Sequence, residues 1–479
     1  MGVVYCVLYV QHNTRRSSLF LTLPRTTMGT HSKPHALLLA RPGMGHVIPV
    51  LELAHRLSSS LHFRVTVFLG PFGRAMSSAE SHTARAAMAR GSFDVRELPP
   101  VDVTSLVEPD AAAVTKLTVT MREMRPAVLA TALGMRPKPT VLIVDLFGTE
   151  VLSIAEEIGV AAKYVFVASH ALFLALKVYL PVLDKLVEGE YTEQKEPMKI
   201  PGCRPVRPDE LIDPMLDRSN RQYQECVRVS LEIPTSDGVF IFIWGELQGE
   251  TLAALDGNGE LGRIMRVPVY PIGSIIRPND PTERPIGSVF EWLDQQPGRS
   301  VVYVCLGSGG TLSFQQTTEM AWGLEHSGQR FLWVLRRPTV RTGDVASVLP
   351  EGFMDRVGRT RCGSHKQRSV GGFLSHCGWN STLESLRNGV PMVTWPLYAE
   401  QRMNAVVLTE EIGVGVRPRR FPTAEGVIGR EEIAELVRRV MVDGGMRDKA
   451  REIKLSSERA WSDGGSSRLA LFQWAKRFS

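Results

Sequence analysis

A chain of 479 residues, 43% hydrophobic and 22% charged, is globular in composition and too long for one core, so two domains are expected. Its net charge of +6 is spread along the chain without a dense Lys/Arg run, which argues against a nucleic-acid-binding face. Its cysteines (Cys6, Cys203, Cys226, Cys305, Cys362, Cys377) form no CxxC pair and no metal-ligand spacing. They read as reduced thiols of a cytoplasmic protein without a metal site. No segment has the roughly 18 apolar residues that a membrane helix needs, so stable membrane insertion is not expected.

In chain order, residues 1–27 read as an extension, expected to be disordered. Gly2–Val10 is apolar and Arg15-Arg16 follows it, the reverse of a signal peptide. The first domain, 28–262, begins with a strand at His35–Ala40, a glycine-rich turn at Arg41–Gly45 and a helix at His46–Ser58. In that helix Val47, Val50, Leu51, Ala54 and Leu57 recur at helical spacing. Apolar strands follow at Phe63–Leu69, Val141–Val144, Tyr164–Ala168 and Val239–Ile243. From Arg263 the chain turns Pro-rich and loses periodicity, so 263–285 reads as a linker. The second domain, 286–450, carries a strand at Val301–Leu306, a helix at Phe314–Ser327 and strands at Phe331–Leu335 and Gly371–Leu374. Residues 451–479 form a helical tail. Alternating strands and helices of this kind mark doubly wound α/β domains.

Two regions carry chemistry. In the first, His46 follows the Gly-x-Gly turn at the carboxyl end of the first strand, where open α/β sheets place ligands. Histidine suits general-base chemistry near neutral pH. Taken alone, a His at a helix start is more often a partly exposed structural residue, and Asp145 alone reads more readily as a strand-end cap. Asp145 ends the strand at Val141–Val144, and strand ends of one parallel sheet converge on one edge. Its carboxylate is therefore placed to orient the far imidazole nitrogen. In the second region, Ser375–Glu384 (SHCGWNSTLE) reads as strand, turn and helix, with Ser375, Asn380 and Ser381 all suited to capping. A helix N-terminus receives a diphosphate without needing a lysine. Glu384, one turn beyond Asn380, is placed for sugar hydroxyls. An acid–amide pair, Glu400-Gln401, ends 25 residues beyond His376. The glycine-rich turn Leu306–Thr311 is a weaker phosphate or ribose candidate, with a hydroxyl donor from Ser308 or Thr311.

These residues resemble the C-terminal two-thirds of the signature box of plant secondary-product glycosyltransferases, the UDP-sugar-dependent enzymes of glycosyltransferase family 1. The likeness runs from Met28, which looks like a family start, to the C-terminus. Pro350–Phe353 and Pro396–Asn404 look closest to the hydroquinone and monolignol glucosyltransferase branch. The resemblance implies an α/β fold of two doubly wound Rossmann-like domains facing each other across a cleft (GT-B), with the C-terminal helix packing back on the first domain. It implies UDP-glucose as co-substrate with no separate cofactor. The implied donor contacts are His376, Asn380 and Ser381 at the diphosphate, Glu384 at the ribose, Trp379, Glu400 and Gln401 around the sugar, and Ser308. It also implies His46 and Asp145 as catalytic dyad. Periodicity alone makes Phe147, Phe173 and Leu174 core residues. The resemblance of Ala171–Leu180 to a pocket helix gives Phe173 and Leu174 a claim on the acceptor, beside Phe147.

One element of the family box is missing. Upstream, the family carries a Trp-x-Pro-Gln element whose tryptophan and glutamine hold uracil, preceded by an apolar strand. Here only the 15 residues Met354–Arg368 separate Phe353 from Ser369, with no Trp, Tyr or Phe among them. The expected function is inverting glucosyl transfer from UDP-glucose to a small phenolic acceptor. The alternative is a catalytically impaired relative that lacks the uracil-binding part.

Overall fold

The computed structural model describes residues 3–5, 33–71, 76–89, 93–274, 288–335, 349–353, 356, 359–361, 369–423 and 426–478. Among them are fourteen strands in two parallel seven-stranded sheets. They are β1 (Val3–Tyr5), β2 (His35–Ala40), β3 (Arg64–Leu69), β4 (Asp94–Glu97), β5 (Val141–Asp145), β6 (Ala162–Val167) and β7 (Val239–Ile241). β8 (Val269–Pro271), β9 (Val301–Cys305), β10 (Arg330–Val334), β11 (Arg359–Arg361), β12 (Val370–Ser375), β13 (Met392–Thr394) and β14 (Gly415–Val416) complete the set.

The first sheet runs β4-β3-β2-β5-β6-β7-β8. β2 reads His-Ala-Leu-Leu-Leu-Ala and is buried throughout, as a strand covered by helices on both faces must be. Helix α1 (Met44–Leu61) covers one face with Val47, Val50, Leu51, Leu53, Ala54 and Leu57. Strand order reverses between β2 and β5, whose register pairs Leu39 with Val144, so Ala40 and Asp145 leave the sheet level with each other. A crevice opens at such a switch point.

The second sheet runs β11-β1-β10-β9-β12-β13-β14, and its switch point lies between β9 and β12. Two boundaries differ from the sequence reading. β8 lies within the segment read as linker, yet it closes the first sheet by pairing with β7, so the first domain extends through Pro271. Val3–Tyr5, placed by sequence in a disordered extension, pairs with Arg359–Arg361 and, through Tyr5, with Trp333. Two β-branched valines followed by a tyrosine are suited to that place, because the edge of β10 otherwise leaves its N–H and C=O groups unpaired.

The chain ends by crossing back. A helix at Ser466–Ala475 packs on β8 and buries Trp474 completely. The indole stacks on Phe63 with centroids 5.3 Å apart and meets the edges of Tyr164 and Phe240 at 5.6 and 5.0 Å. No helix among the described residues is long and apolar enough to cross a membrane.

Candidate active site

The first-domain half is built on the turn between β2 and α1. Gly43 there has φ 107, a conformation that only glycine adopts without strain. Its carbonyl accepts from the His46 and Val47 N–H groups, while its own N–H donates to Glu80 Oε1 at 2.7 Å. The turn thus delivers His46 at the start of the helix, directly over the end of β5. His46 Nδ1 and Asp145 Oδ2 are 2.5 Å apart, with Asp145 fully buried and the His46 side chain 17% exposed. An ionised carboxylate is an acceptor only, so the proton sits on Nδ1 and Nε2 keeps the ring's free lone pair. The second oxygen of Asp145 accepts the Phe147 N–H at 3.1 Å, which fixes the carboxylate in turn.

The second-domain half lies opposite, at its own switch point. After β12 the chain runs through His376 and Cys377 into a helix at Trp379–Asn388. The cap is Gly378, without a side-chain cap bond, rather than Ser375, Asn380 or Ser381. The physical reason is that Ser375 Oγ accepts the Cys377 N–H within the turn, and Asn380 Nδ2 donates to the Gly45 carbonyl across the cleft at 2.9 Å. Ser381 stands in the first helical turn, so the first N–H groups of the helix keep no side-chain acceptor. That is the condition under which an anion is stabilised. Asn380 Oδ1 and His376 Nδ1 are buried without partners. Burial pushes His376 down to about 4, so its ring is a neutral hydrogen-bonding group at neutral pH. Gly307, with φ +77, follows β9; a Cβ there would stand 2.4 Å from His376 Nε2, so the ring and the β9 turn fit only as glycine allows. Ser308 is exposed on that turn, and Glu384 is exposed on the helix.

The remaining expected donor residues are placed differently from one another. Glu400 caps a helix at Gln401–Val406 and takes a long contact from Asn404 Nδ2 at 3.5 Å. Gln401 is 3% exposed and its Oε1 accepts the Leu397 and Tyr398 N–H groups at 2.8 and 3.1 Å. It therefore shapes the loop before Glu400, and only its amide nitrogen remains for a ligand. The indole of Trp379 joins the domains: Nε1 donates to the Phe242 carbonyl at 3.0 Å and the ring lies 4.9 Å from that of His170. Further bridges run from Arg207 to Glu410, both bonds at 2.8 Å, and from the Ala399 N–H to Asp213 Oδ2 at 2.6 Å.

Of the acceptor candidates, Phe147 meets His46 edge to face with centroids 5.7 Å apart. Phe173 lies near His170 at 6.4 Å and is 8% exposed. Leu174 has no exposure and belongs to the first domain's core, as helical periodicity alone has it. Arg41 was missed by sequence reasoning, having been counted only as part of the turn. Its guanidinium carbon lies 4.7 Å over the Phe147 ring. A cation one residue ahead of the Gly-x-Gly-His turn, separated from it by Pro42, was the available signal. The segment in which Trp-x-Pro-Gln is missing lies for the most part outside the described residues, and among the described residues no cluster of His, Cys, Asp and Glu is placed to hold a metal ion.

Two facing Rossmann-like domains, each with its ligand crevice at a switch point, define the GT-B class of nucleotide-sugar transferases. A family model described as UDP-glucoronosyl and UDP-glucosyl transferase matches residues 271–427. UDP-glycosyltransferase 72D1 of Arabidopsis thaliana is 56% identical, over 93% of this chain and 98% of that protein. The hydroquinone glucosyltransferase of Rauvolfia serpentina is 38% identical, over 92% and 97%. The structure of a Phytolacca americana UDP-glycosyltransferase, solved with UDP-2-fluoroglucose and pterostilbene, superposes with a TM-score of 0.82 at 34% identity, over 93% and 99%. The chain belongs to the plant UDP-glycosyltransferases of family 1, and is a UDP-sugar-dependent glycosyltransferase.

Proposed function

We propose that the chain transfers glucose from UDP-glucose to the hydroxyl of a small phenolic acceptor, hydroquinone- or monolignol-like, with inversion at the anomeric carbon. His46 Nε2 takes the hydroxyl proton as the phenolic oxygen attacks, and Asp145 stabilises the imidazolium that results. The bond from the anomeric carbon to the β-phosphate oxygen breaks, and UDP leaves into the turn formed by His376, Asn380 and the N-terminus of the Trp379–Asn388 helix. Donors already in place where charge develops lower the barrier without reorganisation. The observation that carries this reading is the 2.5 Å His46–Asp145 pair standing across the cleft from a helix N-terminus whose first N–H groups have no side-chain cap. The acceptor class is supported by the hydroquinone glucosyltransferase relative. A cytoplasmic setting is supported by free thiols at Cys203, Cys226, Cys305 and Cys377.

Donor binding is tested by calorimetry with UDP on the full chain, beside a variant given a family-type Trp-x-Pro-Gln insert before Ser369. Initial rates with UDP-glucose and hydroquinone are measured on both. We expect the unaltered chain to bind UDP and turn over, with tighter binding after the insert. UDP binding and transfer only in the insert variant would refute the reading for this chain and leave the impaired relative in its place.

A further inference from the structure

Helix α1 begins without a cap from its own side chains. Its N-cap is Gly43, and its first turn carries no acid. In a capping box, a Glu or Gln at the third helical position reaches back to accept the N-cap N–H. Here the third position is His46, whose ring is held at Asp145 instead. The Gly43 N–H is nevertheless satisfied. Glu80 Oε1 accepts it at 2.7 Å, from 37 residues along the chain.

The ordinary place of Glu80 is in its own helix, α2 (Ser78–Ala89), where it is the third residue. There it forms a capping box with Ser77. Its Oε2 accepts the Ser77 N–H at 2.9 Å and the Ser77 hydroxyl at 2.6 Å, and Ser77 Oγ accepts the Glu80 N–H at 3.3 Å. That box uses only one carboxylate oxygen. The other leaves it and closes the start of α1, so one carboxylate, 8% exposed, serves two helix N-termini. Burial alone would raise its carboxyl, but the Ser77 hydroxyl and the Gly43 and Ser77 N–H groups outweigh this and hold it below the usual range. Glu80 is therefore ionised at neutral pH and accepts with both oxygens.

Gly43 is where this bond bears on the reaction. At φ 107 and ψ 130 the backbone has the freedom of glycine, so the turn keeps its shape through hydrogen bonds rather than through sterics. The Gly43 carbonyl accepts the His46 N–H at 2.9 Å and the Val47 N–H at 3.0 Å. Glu80 thus fixes one side of Gly43, and His46 hangs from the other. Any rotation at Gly43 moves the imidazole against Asp145, which is itself fixed by the Phe147 N–H.

We propose that Glu80 is a positioning residue for the transfer reaction: by accepting the Gly43 N–H, its carboxylate holds the turn that keeps His46 on Asp145. The inference deepens the proposed function and rests on it for His46 as the base.

Three variants separate the two roles of Glu80. Glu80→Ala removes the bond to Gly43 together with the α2 box, and Ser77→Ala weakens the box alone. Glu80→Gln keeps an oxygen for Gly43 and turns its amide nitrogen to the exposed Ser77 hydroxyl. On each full chain, kcat and KM are measured with UDP-glucose and hydroquinone, and UDP affinity by calorimetry. NMR of histidine-labelled protein reads the low-field Nδ1–H proton of His46, assigned by its loss in His46→Gln. Glu80→Ala should lower kcat about tenfold to a hundredfold, as misplacing a catalytic group does. KM and UDP affinity should stay within about twofold, and the His46 signal should shift or vanish. Glu80→Gln should recover most of the rate and the signal, and Ser77→Ala should change neither. An unmoved His46 signal in Glu80→Ala would overturn the proposal, as would an unchanged kcat. So would equal losses in Glu80→Ala and Ser77→Ala, which would place the effect in α2 alone, or a Glu80→Gln variant as slow as Glu80→Ala. Absence of transfer by the unaltered chain would count against the proposed function, while the His46 signal would still decide whether Glu80 holds the turn.

Discussion

Replacing Asp145 by Asn keeps the shape of the side chain and removes its charge. Its Oδ1 can still accept the Phe147 N–H, so the end of β5 need not move. The consequence falls on His46. The amide nitrogen now faces Nδ1 as a donor, which turns Nδ1 into the acceptor and transfers the ring proton to Nε2, the atom that must take the phenol's proton. The stabilisation of the imidazolium is lost as well. Two unit charges about 4 Å apart at an effective dielectric of about 20 attract by about 4 kcal/mol. At 1.36 kcal/mol per factor of ten, kcat should fall about a thousandfold with KM for hydroquinone changed little. Initial rates give kcat, and calorimetry with UDP reports whether the fold and donor half survive. An Asp145→Asn variant that binds UDP normally and works within a few-fold of the parent rate would refute both the tautomer argument and the assignment of His46 as base.

Further outcomes follow from other parts of the structure. Gly307→Ala forces a Cβ to within 2.4 Å of His376 Nε2 and places alanine at φ +77, so UDP should bind at least about tenfold more weakly by calorimetry. Unchanged affinity would show that the ring moves freely. Trp474→Ala empties a site closed by Phe63, Tyr164 and Phe240, at a cost of about 3–5 kcal/mol, measurable as an earlier urea transition; a shift under about 1 kcal/mol would contradict the packing. Burial holds His170 down to about 3 and His376 to about 4, against an ordinary 6.5. The unfolded chain therefore binds protons that the folded chain refuses. This contribution is fully present above pH 6.5 and is lost as pH falls toward the folded values, by about 1.4 kcal/mol per histidine and unit of pH. Urea midpoints at pH 7.5 and 5.5 should differ accordingly, and a higher midpoint at pH 5.5 would reverse the sign.

The His46–Asp145 contact was legible because topology does the placing: once the two are read just beyond β2 and at the end of β5, the adjacency of those strands brings them together with no further information. The strands were legible from apolar runs, since a strand buried on both faces carries little else. Short elements were not. Val269–Pro271 contains a proline and spans three residues, so no period is visible, and only pairing with β7 makes it a strand. Val3–Tyr5 depends equally on partners far along the chain. At the second site the sequence offered three capping side chains, but tertiary contacts recruited Asn380 across the cleft and kept Ser375 in the turn, so glycine caps the helix. Arg41 shows the limit most sharply. A guanidinium in a turn looks solvated in sequence, and only the fold shows its Nε buried without a partner.

The return of the last helix means that the two domains are not separable units. A polypeptide ending at residue 274 would contain every strand of the first sheet yet present Phe63, Tyr164 and Phe240 to water where Trp474 had covered them. The complementary piece would carry that indole on a helix that keeps only its neighbour at Gly444–Trp461. Each fragment is thus the other's solubilising partner. Trp379 on the Phe242 carbonyl, Trp244 on Ser456 and Arg207 on Glu410 would hold them in register. A single cut between residues 274 and 288 should leave a nicked protein that migrates as one species and still closes its cleft, and two separately made halves should reassemble when refolded together.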